Sequence, residues 1–137
     1  MNNSDLEKNP FDMNMWKNWV EQSPSFFSGL LDKSVIGILI GENEDQIILL
    51  EKKNHDMLVK IENPDYMERP VADIIFKIKE NTINEIWDDK SFIKFIQLLS
   101  NQKIKVYTLR SQSELIGRGH VGFFGRLGLN LGRKSCC

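Results

Sequence analysis

Residues 35–61, VIGILIGENEDQIILLEKKNHDMLVKI, carry the strongest β-strand signal of this sequence. Three apolar runs, at 35–40, 46–50 and 57–61, are separated by two polar turn signals. Short runs rich in β-branched residues and bounded by Gly, Asn and Asp are typical of strands joined by tight turns. The stretch therefore predicts a three-stranded antiparallel meander, which the sequence Asn-Pro-Asp at 63–65 ends.

A helical pattern precedes this stretch. Apolar residues recur at helical spacing between Phe11 and Val20, and the sequence Ser-Pro-Ser at 23–25 then breaks the pattern. We therefore predict an N-terminal helix. The polar, asparagine-rich residues 1–10 carry no such pattern, and we expect them to be disordered.

Three further segments follow the meander. Residues 71–78 fit the spacing of a helix and that of a strand, and Pro70 at their start favours the helix. Residues 88–100 predict a helix that is apolar around most of its circumference, and 103–109 alternate imperfectly, as an edge strand would. The sequence therefore predicts an α+β domain over residues 11–110, with one or two helices and an edge strand after the meander.

The net charge of −1 conceals an uneven distribution of charge. Residues 1–102 hold 18 acids and 11 bases, whereas residues 103–137 hold one acid and seven bases. The two parts therefore face different electrostatic partners, or they attract each other. No apolar run approaches the roughly 20 residues that cross a bilayer, and the start shows no secretory signal. We expect a cytoplasmic protein without a cofactor.

The sequence offers few residues for catalysis. Asp45, Glu51 and Lys53 form the order acid, Glu-x-Lys, which resembles the PD-(D/E)xK nucleases, where carboxylates hold Mg²⁺. The resemblance implies a metal-dependent nuclease, and this function ranks third among those we consider. His55 lies in a turn and His120 in a glycine-rich stretch, and we expect both at the surface rather than as ligands. We therefore predict no catalytic residue, no metal site and no enzymatic activity.

Residues 111–137 predict a basic, glycine-rich tail, because six of the nine glycines fall between positions 117 and 132. Glycine raises the entropic cost of order, so we expect the tail to become ordered only against another surface. Its large apolar residues are too many for a solubility tail. The residues expected to contact a partner are Arg118, Phe123, Phe124, Arg126, Leu127, Leu129 and Arg133.

Cys136 and Cys137 are adjacent, so they cannot close a disulfide within the fold, and we consider them as sites of modification. The Cys-Cys end resembles that of doubly geranylgeranylated Rab GTPases, which implies attachment of lipid. The sequence LGLNLGRK at 127–134 resembles the short tails that load cargo into encapsulin shells, which implies docking on a protein.

The leading hypothesis is a small non-enzymatic interaction or regulatory protein whose basic tail docks on a partner macromolecule. A protein is the favoured partner, while nucleic acid or a membrane surface also fits the basic tail. The alternative is a precursor with an acidic leader domain and a cationic C-terminal peptide as its product. The tail also has the charge to dock on the acidic body of its own chain.

Overall fold

The computed structural model describes residues 9–22, 24–88 and 92–128, which form an α+β structure, as the sequence predicted. Short 3-10 turns lie at Pro24–Phe27, Pro64–Tyr66 and Glu80–Thr82. None of the helices within these residues combines the length and the apolar character needed to cross a membrane. The helices and strands, in chain order, are α1 (Met13–Glu21), β1 (Val35–Ile40), β2 (Asn43–Lys53), β3 (Asp56–Glu62), β4 (Ile74–Ile78), α2 (Ile83–Trp87), α3 (Ile93–Ser100), β5 (Ile104–Thr108), α4 (Gln112–Gly117) and α5 (His120–Arg126).

The five strands form one mixed sheet in the order β3-β2-β1-β4-β5. β1 pairs antiparallel with β2, and β2 pairs antiparallel with β3. β4 lies parallel to β1 on its other side, and β5 pairs antiparallel with β4. The two edges of the sheet are therefore β3 and β5, and the strand predicted for residues 103–109 is an edge strand in the structure.

The main core lies between the helices and one face of the sheet. It includes Trp16 and Trp19 of α1, Phe95 of α3 and Phe123 of α5, all at most 2% exposed. Strand residues whose side chains point to the opposite face of the sheet form a smaller apolar cluster, to which Val71 contributes. The sheet is therefore buried on both faces near its middle.

The prediction that residues 71–78 form a helix is wrong, because they contain the strand β4 and no helix. Ile74–Ile78 pairs with β1 on one side and β5 on the other, and four of its five side chains are buried. A strand covered on both faces reads as a continuous apolar run, so it lacks the alternation that marks a half-exposed strand. The helix predicted at 88–100 begins only at Ile93, after the separate helix α2.

Helices and core packing continue past residue 110, where the sequence predicted the tail to begin. α4 starts at a capping box, in which the Ser111 side chain accepts a hydrogen bond from the Glu114 amide and the Glu114 side chain accepts one from the Ser111 amide. α5 then buries His120, Phe123 and Phe124. Burial of these side chains outweighs the low helix propensity of the glycines in α5.

Gly119 joins α4 to α5 with a φ of 86°, in the left-handed region. A Cβ atom at this position would lie 2.2 Å from the carbonyl oxygen of Gly29. Because that neighbour is backbone, no side-chain rotation relieves the contact. We expect Gly119→Ala to lower the free energy of unfolding by about 1–3 kcal/mol, measured by urea denaturation.

Gly122→Ala is the matched control for this variant, because Gly122 lies within α5 and has open space around its Cβ position. Alanine there should leave stability unchanged or raise it by up to about 1 kcal/mol. If Gly119→Ala were as stable as the wild type, the close approach of the turn between α4 and α5 to Gly29 would be contradicted.

Candidate functional site

Three of the residues predicted to contact a partner lie in the core. Phe123, Phe124 and Leu127 are 1%, 5% and 1% exposed, so a partner cannot reach them. The structure corrects this part of the prediction, because burying such large apolar side chains in their own domain removes them from water without a partner. Four predicted contact or modification residues lie outside the described residues: Leu129, Arg133, Cys136 and Cys137.

Two arginines that were predicted to contact a partner, Arg118 and Arg126, instead make contacts within the chain. Arg118 Nη1 donates a hydrogen bond to the carbonyl oxygen of Lys33 at 2.9 Å and lies 3.3 Å from Asp73 Oδ1. Arg126 Nη1 donates to the carbonyl oxygen of Phe26 at 3.3 Å. The described part of the predicted tail is therefore docked on the body of its own chain.

Asp73 is the centre of a buried charge cluster. Its carboxylate accepts hydrogen bonds from the Val35 amide, at 2.9 Å, and from Arg110 Nε, and His120 Nε2 lies 3.0 Å from Oδ2. His120 is fully buried, which corrects the prediction that it lies at the surface. The cluster joins the ends of β1, β4 and β5 to the start of α5, so it holds the C-terminal helices on the sheet.

The charge of Asp73 follows from its surroundings. Burial by itself raises the pKa of this carboxyl, because the charged form is less stable away from water. The hydrogen bonds with His120, the Val35 amide and Arg110, together with the positive charge of Arg118, outweigh burial and lower the pKa of Asp73 below its ordinary value. Asp73 and His120 are both at most 1% exposed, so a substrate cannot reach either group, and the cluster acts on stability.

The residues that resemble a nuclease motif are not close enough to share a metal ion. Asp45 and Glu51 lie six residues apart on the extended strand β2, which separates them by about 20 Å. Glu51 instead forms an ion pair with Lys60 at 3.0 Å. Within residues 9–22, 24–88 and 92–128, no group of three His, Cys, Asp or Glu side chains is arranged to hold a metal ion.

The sheet brings together four lysines that the sequence analysis did not single out, and we call them the lysine surface (Lys77, Lys79, Lys103 and Lys105). Lys77 of β4 lies directly opposite Lys105 of β5, and the other two flank these strands at the same end of the sheet. Together with Tyr107, which is 46% exposed, they line a shallow depression of about 260 Å³.

The lysine surface carries positive charge that its neighbours do not compensate. Like charges directly opposite each other on an antiparallel pair destabilise a sheet. In the described part of the chain, none of the four lysines forms a salt bridge, and Glu42 is the one acid among the residues lining the depression. An anionic group bound at this surface would relieve the repulsion.

Sequence reasoning missed the lysine surface for two reasons. It placed Lys77 on a helix, and the pairing of Lys77 with Lys105 depends on the register between β4 and β5. One signal was available in the charge distribution, because the basic part of the chain begins at Lys103.

No family model matches the chain, and no curated protein matches it. Among solved structures, the chain is similar to the sterol carrier protein 2 of Yarrowia lipolytica in its apo form. The similarity covers 76% of this chain and 81% of that chain, with 13% sequence identity and a TM-score of 0.36. A similarity at this level does not indicate a function.

Proposed function

We propose that the chain is a small non-enzymatic interaction or regulatory protein, and that its lysine surface binds an acidic segment of a partner protein in the cytoplasm. The observation that carries this proposal is the direct pairing of Lys77 with Lys105 across β4 and β5, without a carboxylate partner among the described residues. Opposite charges at these two positions would stabilise the sheet. A bound anionic segment would relieve the repulsion between these two like charges.

The position of the lysine surface favours a protein partner. β5 is an edge of the sheet and pairs only with β4 among the described strands. An extended segment can add a strand to such an edge, where main-chain hydrogen bonds supply affinity and side chains supply specificity. Lys103 and Lys105 would select aspartate or glutamate in that segment. Nucleic acid offers phosphates but does not pair with the main chain of an edge strand. It therefore matches the positive charge of the lysine surface but not the open edge of β5.

The residues after Gly128 extend this proposal. Leu129 and Arg133 are proposed contacts with the same partner, and Cys136 and Cys137 are proposed modification sites. For the precursor alternative, a product peptide that began at or before Leu127 would remove a buried residue from the core. A released peptide would therefore begin after Leu127.

We expect Lys105→Glu to weaken the binding of an acidic peptide by roughly tenfold or more, because the change replaces an attractive charge by a repulsive one. The probe is a fluorescein-labelled peptide that alternates glutamate and valine, and fluorescence anisotropy measures its Kd. Affinity should fall as the salt concentration rises. Lys53→Glu is the matched control, because it makes the same charge change at an exposed position of β2, and it should weaken binding by less than about threefold.

Equal binding of the acidic peptide by the wild type and by Lys105→Glu would overturn the proposal. The same titrations with a single-stranded DNA oligomer test the class of partner. If DNA bound more tightly than the peptide, and if Lys105→Glu abolished that binding, nucleic acid would replace the acidic segment as the partner.

A further inference from the structure

A groove of about 600 Å³ lies between α1 and β3, at the edge of the sheet opposite to the lysine surface. This volume falls within the roughly 300–1,000 Å³ that is typical of ligand pockets. The apolar lining includes Val20 of α1, Phe27, and Met57 and Val59 of β3. Met57 and Val59 are only half-buried, so the groove offers apolar surface that the described residues leave uncovered.

Lys52 of β2 is a buried cation that lines this groove. The residue is only 7% exposed, and its Nζ donates a hydrogen bond to the carbonyl oxygen of Phe27 at 3.0 Å. An ammonium group has three N–H donors, and no carboxylate in the described part of the chain forms a salt bridge with it. A buried ammonium without a counter-ion is costly, so an anion that entered the groove would be stabilised there.

The rim of the groove carries charges of both signs. Lys17 and Lys60 are basic, Glu21 and Asp56 are acidic, and His55 adds a titratable side chain. Lys60 is already paired with Glu51, whereas the Lys52 ammonium lies within the groove without a carboxylate partner among the described residues, so Lys52 provides the positive charge for an anion bound there.

We propose that this groove binds a small amphipathic carboxylate. The carboxylate pairs with the Lys52 ammonium, and the apolar body of the ligand lies against Val20, Met57 and Val59. Burial of apolar surface supplies affinity, and the charge-assisted hydrogen bond supplies the preference for an anion. This binding site is separate from the proposed docking function, because it lies at β3 rather than β5 and takes a ligand of another class.

The test compares sodium decanoate with decan-1-ol, which share an apolar chain and differ in charge. Isothermal titration calorimetry on the 137-residue chain measures both affinities. We expect the wild type to bind decanoate about tenfold more tightly than decanol. Lys52→Met keeps an unbranched side chain but removes the charge, so it should lose this preference. Lys53→Met, at an exposed position of β2 that does not line the groove, is the matched control and should keep it.

Equal affinity of the wild type for both compounds, or the absence of saturable binding, would overturn the proposal. A folded Lys52→Met protein that still preferred decanoate would overturn it as well. If Lys52→Met lost its circular dichroism signal, the methyl NMR signal of Met57 in the wild type would decide instead. A shift of that signal with decanoate supports binding in the groove, and an unshifted signal contradicts it.

Discussion

Asp73→Asn is expected to lower the free energy of unfolding by about 3–5 kcal/mol, because it removes the one anion from a buried cluster of donors. Oδ1 accepts from Arg110 and lies near Arg118, while Oδ2 accepts from the Val35 amide and lies near His120. In either orientation, the amide group of asparagine would therefore place N–H donors against other donors. A loss of this size is a large share of the roughly 5–15 kcal/mol that stabilise an ordinary domain.

Urea denaturation followed by tryptophan fluorescence measures this loss. Asp45→Asn is the matched control, because it makes the same chemical change on an exposed side chain, and it should alter stability by less than about 0.5 kcal/mol. Equal stability of the two variants would show that the Asp73 cluster does not hold the C-terminal helices on the sheet.

The same carboxylate makes stability depend on pH. Burial opposes the charging of Asp73, but its hydrogen bonds with His120, the Val35 amide and Arg110 outweigh burial and lower its pKa in the folded protein. Such a group stabilises the fold above its unfolded pKa, and this contribution is lost as the pH falls through the lower folded pKa. Below about pH 4, the wild type should therefore lose stability faster than Asp73→Asn, and parallel pH curves would contradict the assignment.

The sequence predicted the first three strands because each carries its own local signals. Residues 35–62 alternate apolar runs with turn residues, and these patterns do not depend on the rest of the chain. β4 was different, because its apolar run reflects burial on both faces of the sheet. That burial is tertiary information, and the helical spacing of the same residues therefore misled the prediction.

The C-terminal helices show the same competition between local preference and tertiary burial. Their glycines indicated a flexible tail. Ser111 and Glu114, however, have the spacing of a capping box, which was a signal for a helix start in the sequence. The lysine surface could not be predicted without the register between β4 and β5, which local sequence patterns do not specify. The burial of Lys52 was easier to predict, because positions 48, 50 and 52 of a strand share a face and the first two are apolar.

Phe123→Ala is expected to lower the free energy of unfolding by about 3–5 kcal/mol, because it leaves a cavity in the aromatic core. The Phe123 side chain is 1% exposed. Its ring centroid lies 5.4 Å from that of Phe26, 5.7 Å from that of Phe27 and 6.4 Å from that of Phe76. The ring therefore joins α5 to the turn after α1 and to the sheet, and alanine would lose contacts with all three aromatic neighbours.

Val121→Ala is the matched control, because Val121 lies on the same helix and is 46% exposed, and it should change stability by less than about 0.5 kcal/mol. Urea denaturation measures both variants, and binding of the acidic peptide is measured under conditions in which both are folded. If Phe123→Ala were as stable as Val121→Ala but lost peptide binding, Phe123 would be a docking residue, as the sequence first predicted. A large loss of stability with unchanged binding by the folded fraction instead assigns α5 to the core and leaves docking to the lysine surface.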